Sequence, residues 1–173
     1  AFFSAGGSVS EKYAKFAAAS GAVVIDNTSH FRMDADVPLV VPECNPQDIA
    51  QWKNRGIIAN PNCSTIITLV AINAINKLSP IKGIYASTYQ AVSGAGAGGP
   101  VELFEQTGQV LAGEAITPPK VFQHQIAFNV IPHIGGFKDN LYTSEEMKLQ
   151  NEGRKIMHLP ELNVSCTCVR VPV

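Results

Sequence analysis

The sequence lacks any strong excess of one charge. Lys and Arg total 13 against 14 Asp and Glu, a formal net charge of −1. That balance excludes a broad positive field of the kind that draws proteins to nucleic acid or to anionic membranes. No apolar run approaches the ~20 residues of a membrane-spanning helix. The opening AFFSAGGSVS has neither the basic start nor the apolar centre of a signal peptide. A cytoplasmic protein that binds neither nucleic acid nor membrane is expected. Cysteine is sparse: Cys44, Cys63, Cys166 and Cys168 have the spacing of neither a disulfide framework nor a zinc site. Reduced thiols and no metal follow. Trp52 and the scattered aromatics form no stacking array for single-stranded nucleic acid. An initiator Met is also lacking, and the final CVRVPV reads as a strand cut short, so both ends are expected to be internal to a longer protein.

What is present suits a globular α/β chain. The 173 residues are 46% hydrophobic and 16% charged, enough for a sizeable core. AFFSAG reads as a short buried strand and AVVIDNT as a second. Between them, SVSEKYAKFAAASG has helical spacing, opened by Ser and closed by Gly21. Strand–helix–strand order favours a parallel sheet. VPLVVPE and GIIANPNC add two short strands. STIITLVAINAINKL is apolar nearly all round, which predicts a buried helix. A strand is predicted over IKGIYASTYQAVSG, a flexible loop over residues 94–100 and a helix over VELFEQTGQVL. QIAFNVIPHI reads as a strand, and TSEEMKLQNEGRKIMHL as a helix with a Thr143–Glu146 capping box. NVSCTCVRVPV is the last strand. The fold class expected is α/β: part of a Rossmann-type, nucleotide-binding parallel sheet over residues 1–62, then a mixed α+β domain over residues 63–173.

Cys63 is the chemical candidate. It follows the polar turn Asn60-Pro61-Asn62 and precedes the long apolar helix. A helix start exposes unpaired N–H groups and carries about half a positive charge. Such a site favours the thiolate over the thiol, and the same amides can hold an oxyanion. Asn62 brings a side-chain amide donor to the same small space. Two readings stand at this point: an activated nucleophile, or a small buried hydrophobe, as most free cysteines are. Ser64 or Thr65 could simply cap the helix.

FSAGGSVS, VVIDNTSHFRMD, VPLVVPE, NPNCST, STYQAVSGAG, IAFNVIPHI, TSEEMK and CVRVPV occur in this order. Together they resemble the aspartate-semialdehyde dehydrogenases of bacterial type, over nearly the whole chain. The resemblance implies reduction of β-aspartyl phosphate to aspartate semialdehyde with NADPH, through a cysteine thioester, in the biosynthesis of amino acids of the aspartate family. It implies Cys63 as the nucleophile and Gln90 as the residue that orients the substrate there. It implies a phosphate-binding set of Arg32, Asn62 and Lys148, a contact from Glu145 to the substrate amino group, and Arg170 as the carboxylate clamp. Ala5, Gly6, Ser8, Asn27, Ser93 and Gly94 fall in segments that line the NADP site of this family. Residues 63–173 become the catalytic and dimerisation domain, with a homodimer implied. The family's Gly-rich phosphate loop would precede residue 1, and its catalytic His would follow Val173; His30, His124, His133 and His158 match no such motif. Little activity is therefore expected of residues 1–173 alone. The resemblance also implies that the stretch from Gly108 to Gln125 is shorter than in many relatives.

The residue chemistry agrees with these roles. A substrate with a phosphate and a carboxylate needs two separated cationic grips, and the Arg fork suits a planar carboxylate. Glu145 and Lys148 stand at i,i+3 and share a helix face. The Gly/Ala loop lets backbone approach a cofactor closely. Plainer alternatives stand beside each role: an exposed Glu145–Lys148 ion pair, Arg32 on a solvated loop, the glycines as a mobile loop only. Arg170 and Gln90 lie in apolar strands and need partners. Cys166 and Cys168 share a strand face, which suits packing, and Cys44 is a loop or strand-end thiol. Alternative functions are another acyl-thioester dehydrogenase, such as N-acetyl-glutamyl-phosphate reductase or a glyceraldehyde-phosphate dehydrogenase, or a non-catalytic dimerisation module or truncated pseudoenzyme.

Overall fold

Three short strands near the start of the chain pair in parallel, in the order β1 (Phe2–Phe3), β2 (Val24–Asp26), β3 (Ile57–Ala59). Phe2 stands beside Ile25, Val24 beside Ile57 and Asp26 beside Ala59. A computed structural model describes residues 1–173 in this way. The crossover from β1 to β2 is helix α1 (Gly7–Ala19), whose Ala14 packs in the core. Gly6, at φ 100, leads into α1 without a side-chain cap, so Ser8 lies inside the first turn rather than opening the helix. Gly21, at φ 86, ends the helical segment as expected.

The elements separate into two compact units. The first comprises Ala1–Ile84 and Lys148–Val164; the second comprises Tyr85–Met147 and Ser165–Val173. The first unit's core joins Val24, Val37, Leu39, Val41, Ile57 and Leu69. Three expectations for this unit are corrected. β1 is not buried: Phe2 is 85% exposed. VPLVVPE is buried but is not a strand; it makes a single parallel bridge, Leu39 to Ala59, because Pro38 and Pro42 offer no N–H to a ladder. Helix α2 (Cys63–Leu78) is not buried all round: Thr65 and Leu69 face inward, while Ile67, Ile75 and Leu78 are exposed. An all-round apolar pattern does not say which stripe is covered.

In the second unit, β4 (Gly83–Ala91) and β5 (Asn163–Val171) form a two-stranded sheet, most of which lies in this unit. The supposed flexible loop at 94–100 is ordered by hydrogen bonds. Val92–Ala95 forms a 3-10 turn, and helix α3 (Gly98–Ala112) starts within the Gly run. Gly99 is required there, since a Cβ would collide with the Val92 carbonyl oxygen. QIAFNVIPHI is not a strand either; it makes one antiparallel bridge, Ile131 to Arg170, and Phe128 at φ 56 interrupts the extended run. The start of this segment and the residues just before it are held instead by α3. The Glu102 carboxylate accepts from the N–H groups of Lys120, Val121 and Phe122, and Gln106 Oε1 accepts from those of Ile126 and Ala127. Val92, Phe122, Ile126 and Ile131 pack beside them.

Helix α4 (Ser144–Met157) opens with the predicted reciprocal cap. Thr143 N–H donates to Glu146 Oε2 at 2.6 Å, and Glu146 N–H donates to Thr143 Oγ1 at 3.4 Å. The fold class is as expected: a parallel α/β start and a mixed α+β remainder. No helix is long and apolar enough to cross a membrane.

Candidate active site

In the first unit, β3 delivers the chain to the turn Asn60-Pro61-Asn62, and α2 begins at Cys63. Asn62 is the N-cap: its Oδ1 accepts from Ser64 N–H at 3.0 Å and Thr65 N–H at 3.2 Å. The cap is therefore neither Ser64 nor Thr65. Cys63 is the first helical residue and is exposed, with its Sγ 4.0 Å from Ser64 Oγ. The buried-hydrophobe reading of this thiol does not hold.

Arg32 is buried, not on a solvated loop. Its Nε donates to Asn60 O at 2.9 Å, its Nη2 to Asn27 O at 3.2 Å, and its Nη1 pairs with Glu152 Oε1 at 3.1 Å. Glu152 Oε2 accepts from Asn62 N–H at 2.7 Å. Asn27 Oδ1 accepts from Asn60 Nδ2 at 2.8 Å, so Asn27, Arg32, Asn60 and Asn62 form one cluster beside Cys63. The backbone carrying Arg32 is gripped by Lys155, whose Nζ donates to the carbonyls of Arg32, Asp34 and Val37 at 2.7–2.9 Å. Burial pulls the Lys155 pKa below its ordinary value, against the pull of Asp34, Asp36 and Asp48. Lys148 is half-buried on the same helix.

Ala5, Gly6, Ser8 and Asn27 are exposed just beyond the C-terminal ends of β1 and β2. Ligands of parallel α/β sheets bind at that edge. A Cβ built on Gly6 meets nothing within 4 Å, so the turn is open to a ligand, and the start of α1 lies directly behind it. Buried Asp26 shapes the same edge by accepting from Ser10 Oγ, Thr28 N–H and Thr28 Oγ1.

In the second unit, Gln90 on β4 donates from Nε2 to Glu145 Oε1 at 3.1 Å and accepts at Oε1 from Thr88 Oγ1 at 2.9 Å. Glu145 is buried in the first turn of α4. Arg170 is buried on β5, donates from Nη1 to Ala91 O at 2.7 Å, and lies 5.9 Å over the Phe122 ring. Gly94 stands against it: a Cβ there would be 2.8 Å from Arg170 Nη1. Ser93, in the same 3-10 turn, is exposed. Cys166 and Cys168 are buried with their sulfurs 3.6 Å apart, which together with burial pushes the Cys166 thiol up. Half-buried Cys44 is also pushed up, by burial and by Glu43, against Lys77.

Sequence reasoning missed Glu152, Lys155, Thr88 and Phe122. A signal for the first two existed. Positions 145, 148, 152 and 155 are spaced 3, 4 and 3 apart, so these four charged residues form one stripe of α4. Taken alone, such a stripe reads as a solvated face, yet Glu145 and Glu152 are buried.

Residues 72–173 match the family described as "Semialdehyde dehydrogenase, dimerisation domain", and residues 1–52 match "Semialdehyde dehydrogenase, NAD binding domain". The chain belongs to the semialdehyde dehydrogenase family. Aspartate-semialdehyde dehydrogenase of Campylobacter jejuni is 59% identical over 174 residues, covering 100% of this chain and 50% of that protein. The enzyme of the same name from Bacillus subtilis is 52% identical over 179 residues, covering 100% of this chain and 51% of that protein. Among solved structures, aspartate semialdehyde dehydrogenase II of Vibrio cholerae, complexed with ASA, superposes with a TM-score of 0.97 at 55% identity, over 99% of this chain and 51% of that one. The Candida albicans enzyme, solved with NADP, gives 0.69 at 25% identity, over 99% and 46%. The chain spans about half the length of the curated relatives it matches. Its semialdehyde dehydrogenase segments thus comprise an NAD-binding part and a dimerisation part.

Proposed function

We propose that this chain is part of an aspartate-semialdehyde dehydrogenase that reduces β-aspartyl phosphate to aspartate semialdehyde through a thioester on Cys63. The observation that carries the proposal is the exposed Cys63 thiol on the first residue of α2, directly after the Asn62 cap. Cys63 Sγ attacks the acyl carbon, and the bond from that carbon to the phosphate oxygen breaks. NADPH, when bound, supplies the hydride that reduces the thioester. The oxyanion this leaves on the Cys63 adduct re-forms the C=O bond, the C–S bond breaks, and the sulfur keeps the electron pair as the aldehyde leaves.

The family resemblance and the chemistry of the side chains support the other roles. Arg32, Asn62 and Lys148 bind and neutralise the phosphate. Gln90, fixed between Thr88 and Glu145, orients the acyl group. Glu145 accepts from the substrate ammonium, and Arg170 forks the free carboxylate. Ala5, Gly6, Ser8, Asn27, Ser93 and Gly94 line the dinucleotide site, and NADP is the dinucleotide taken. The functional boundary falls at 62/63, with the dinucleotide-binding domain before it and the catalytic and dimerisation domain, which adds Ser93 and Gly94 to the dinucleotide site, after it. The working protein is a cytoplasmic homodimer.

The test is the reverse reaction of the whole protein with aspartate semialdehyde, phosphate and NADP, beside N-acetyl-glutamate semialdehyde and glyceraldehyde 3-phosphate. A preference for aspartate semialdehyde of at least ~100-fold in kcat/KM is expected, the scale set by hydrogen-bonded polar recognition. A preference for either rival aldehyde, or no turnover of any, overturns the proposal.

A further inference from the structure

Glu152 divides its two carboxylate oxygens between two residues of the site. Oε1 lies 3.1 Å from Arg32 Nη1, and Oε2 accepts from Asn62 N–H at 2.7 Å. We propose that Glu152 is a positioning residue, which locks the Arg32 guanidinium to the peptide leading into Cys63 and so fixes the spacing between phosphate grip and nucleophile. The inference rests on the roles of Arg32 and Cys63 proposed above.

The contacts close a ring. Arg32 Nε holds Asn60 O at 2.9 Å, Glu152 holds both Arg32 and Asn62, and Pro61 joins the two asparagines. The turn before Cys63 is braced at both ends by this one ion pair. Lys155, three residues further along α4, holds the carbonyl of Arg32 itself, so the helix grips both base and head of that side chain. Glu152 is 2% exposed. A buried ion pair is a poor route to stability, since apolar replacements of equal volume often do as well or better. Its advantage is geometric: a carboxylate has two acceptor oxygens in a fixed plane and can set two donors relative to each other. The three contacts of Arg32 use three of its five N–H groups, which leaves donors for phosphate oxygens.

Glu152→Gln keeps the shape of the side chain but turns one acceptor into a donor. It can satisfy Arg32 or Asn62 N–H, not both. In the whole enzyme, the KM for phosphate should rise about tenfold or more, while the KM values for aspartate semialdehyde and NADP stay within about twofold. Glu152→Asp, which keeps the charge but cannot span both donors, should show the same split. A merely structural residue would lower Tm and leave all three KM values alone. Phosphate KM values within twofold of wild type in both variants overturn the proposal, as does failure of both to fold. If the wild-type enzyme shows no phosphate-dependent oxidation of aspartate semialdehyde, the functional reading falls instead, whatever the variants do.

Discussion

The two units hold their site residues by different means. In the first, side chains grip backbone. Asn62 caps two amides, Lys155 holds three carbonyls, and Arg32 and Glu152 brace the turn before Cys63 at a carbonyl and an amide. In the second, side chain meets side chain or ring more often, although Arg170 also holds the Ala91 carbonyl at 2.7 Å. Gln90 is fixed between Thr88 and Glu145, and Arg170 is shaped by the Phe122 ring and by the missing Cβ of Gly94. Under the proposed roles, backbone grips would fix where the nucleophile stands, and side-chain and shape contacts would fix which substrate fits. Glu102 adds three backbone grips in the second unit, on the segment that carries Phe122, at one remove from Arg170.

Substitutions can break this comparison. The largest effect is expected for Cys63→Ser, which should lower kcat by about 10³-fold or more in steady-state assays while leaving the fold intact, because a serine hydroxyl is a far weaker nucleophile without an adjacent base. Next is Glu102→Ala. It leaves three amide donors without their acceptor and should cost about 1–3 kcal/mol by urea unfolding, with faster amide exchange confined to residues near Phe122. Gly94→Ala should raise the KM for aspartate semialdehyde about tenfold with little loss of Tm, since the new Cβ would push Arg170 aside. An unchanged KM would mean that Arg170 is not held by shape. Asn62→Ala removes a cap and should cost about 1 kcal/mol by the same unfolding assay.

The smallest effect sharpens the picture of the thiols. The Cys44 thiol is raised above its ordinary value of 9.0 by burial and Glu43. As pH climbs through 9.0, the unfolded chain therefore loses this proton before the folded one, and stability falls until the folded thiol also ionises. Urea midpoints at pH 8 and pH 10 should differ less in Cys44→Ala than in wild type. At neutral pH, iodoacetamide should label exposed Cys63 well before half-buried Cys44 and buried Cys166 and Cys168. Equal rates would remove the case for an activated Cys63.

Much of this was legible in residue order. The start of α2 at Cys63, the Thr143–Glu146 cap and the β1–α1–β2 unit depend on neighbours within a few residues. The misreadings share a cause. VPLVVPE and QIAFNVIPHI have strand-like side chains, but a strand exists only where a partner backbone is in reach, and each segment found one bridge. The Gly run at 94–100 resembles a loop by composition, yet one of its glycines is there for closeness to the Val92 carbonyl.

By itself, the sequence determined the family and the order of elements and singled out Cys63 at a helix start, because motifs and helix caps are short-range chemistry. Only the tertiary structure decided what stands against each group. Arg32 and Glu152 are 120 residues apart, and Glu152 and Asn62 are 90 apart. No local pattern encodes such a meeting, since it exists only after the core has set the helices and strands in place.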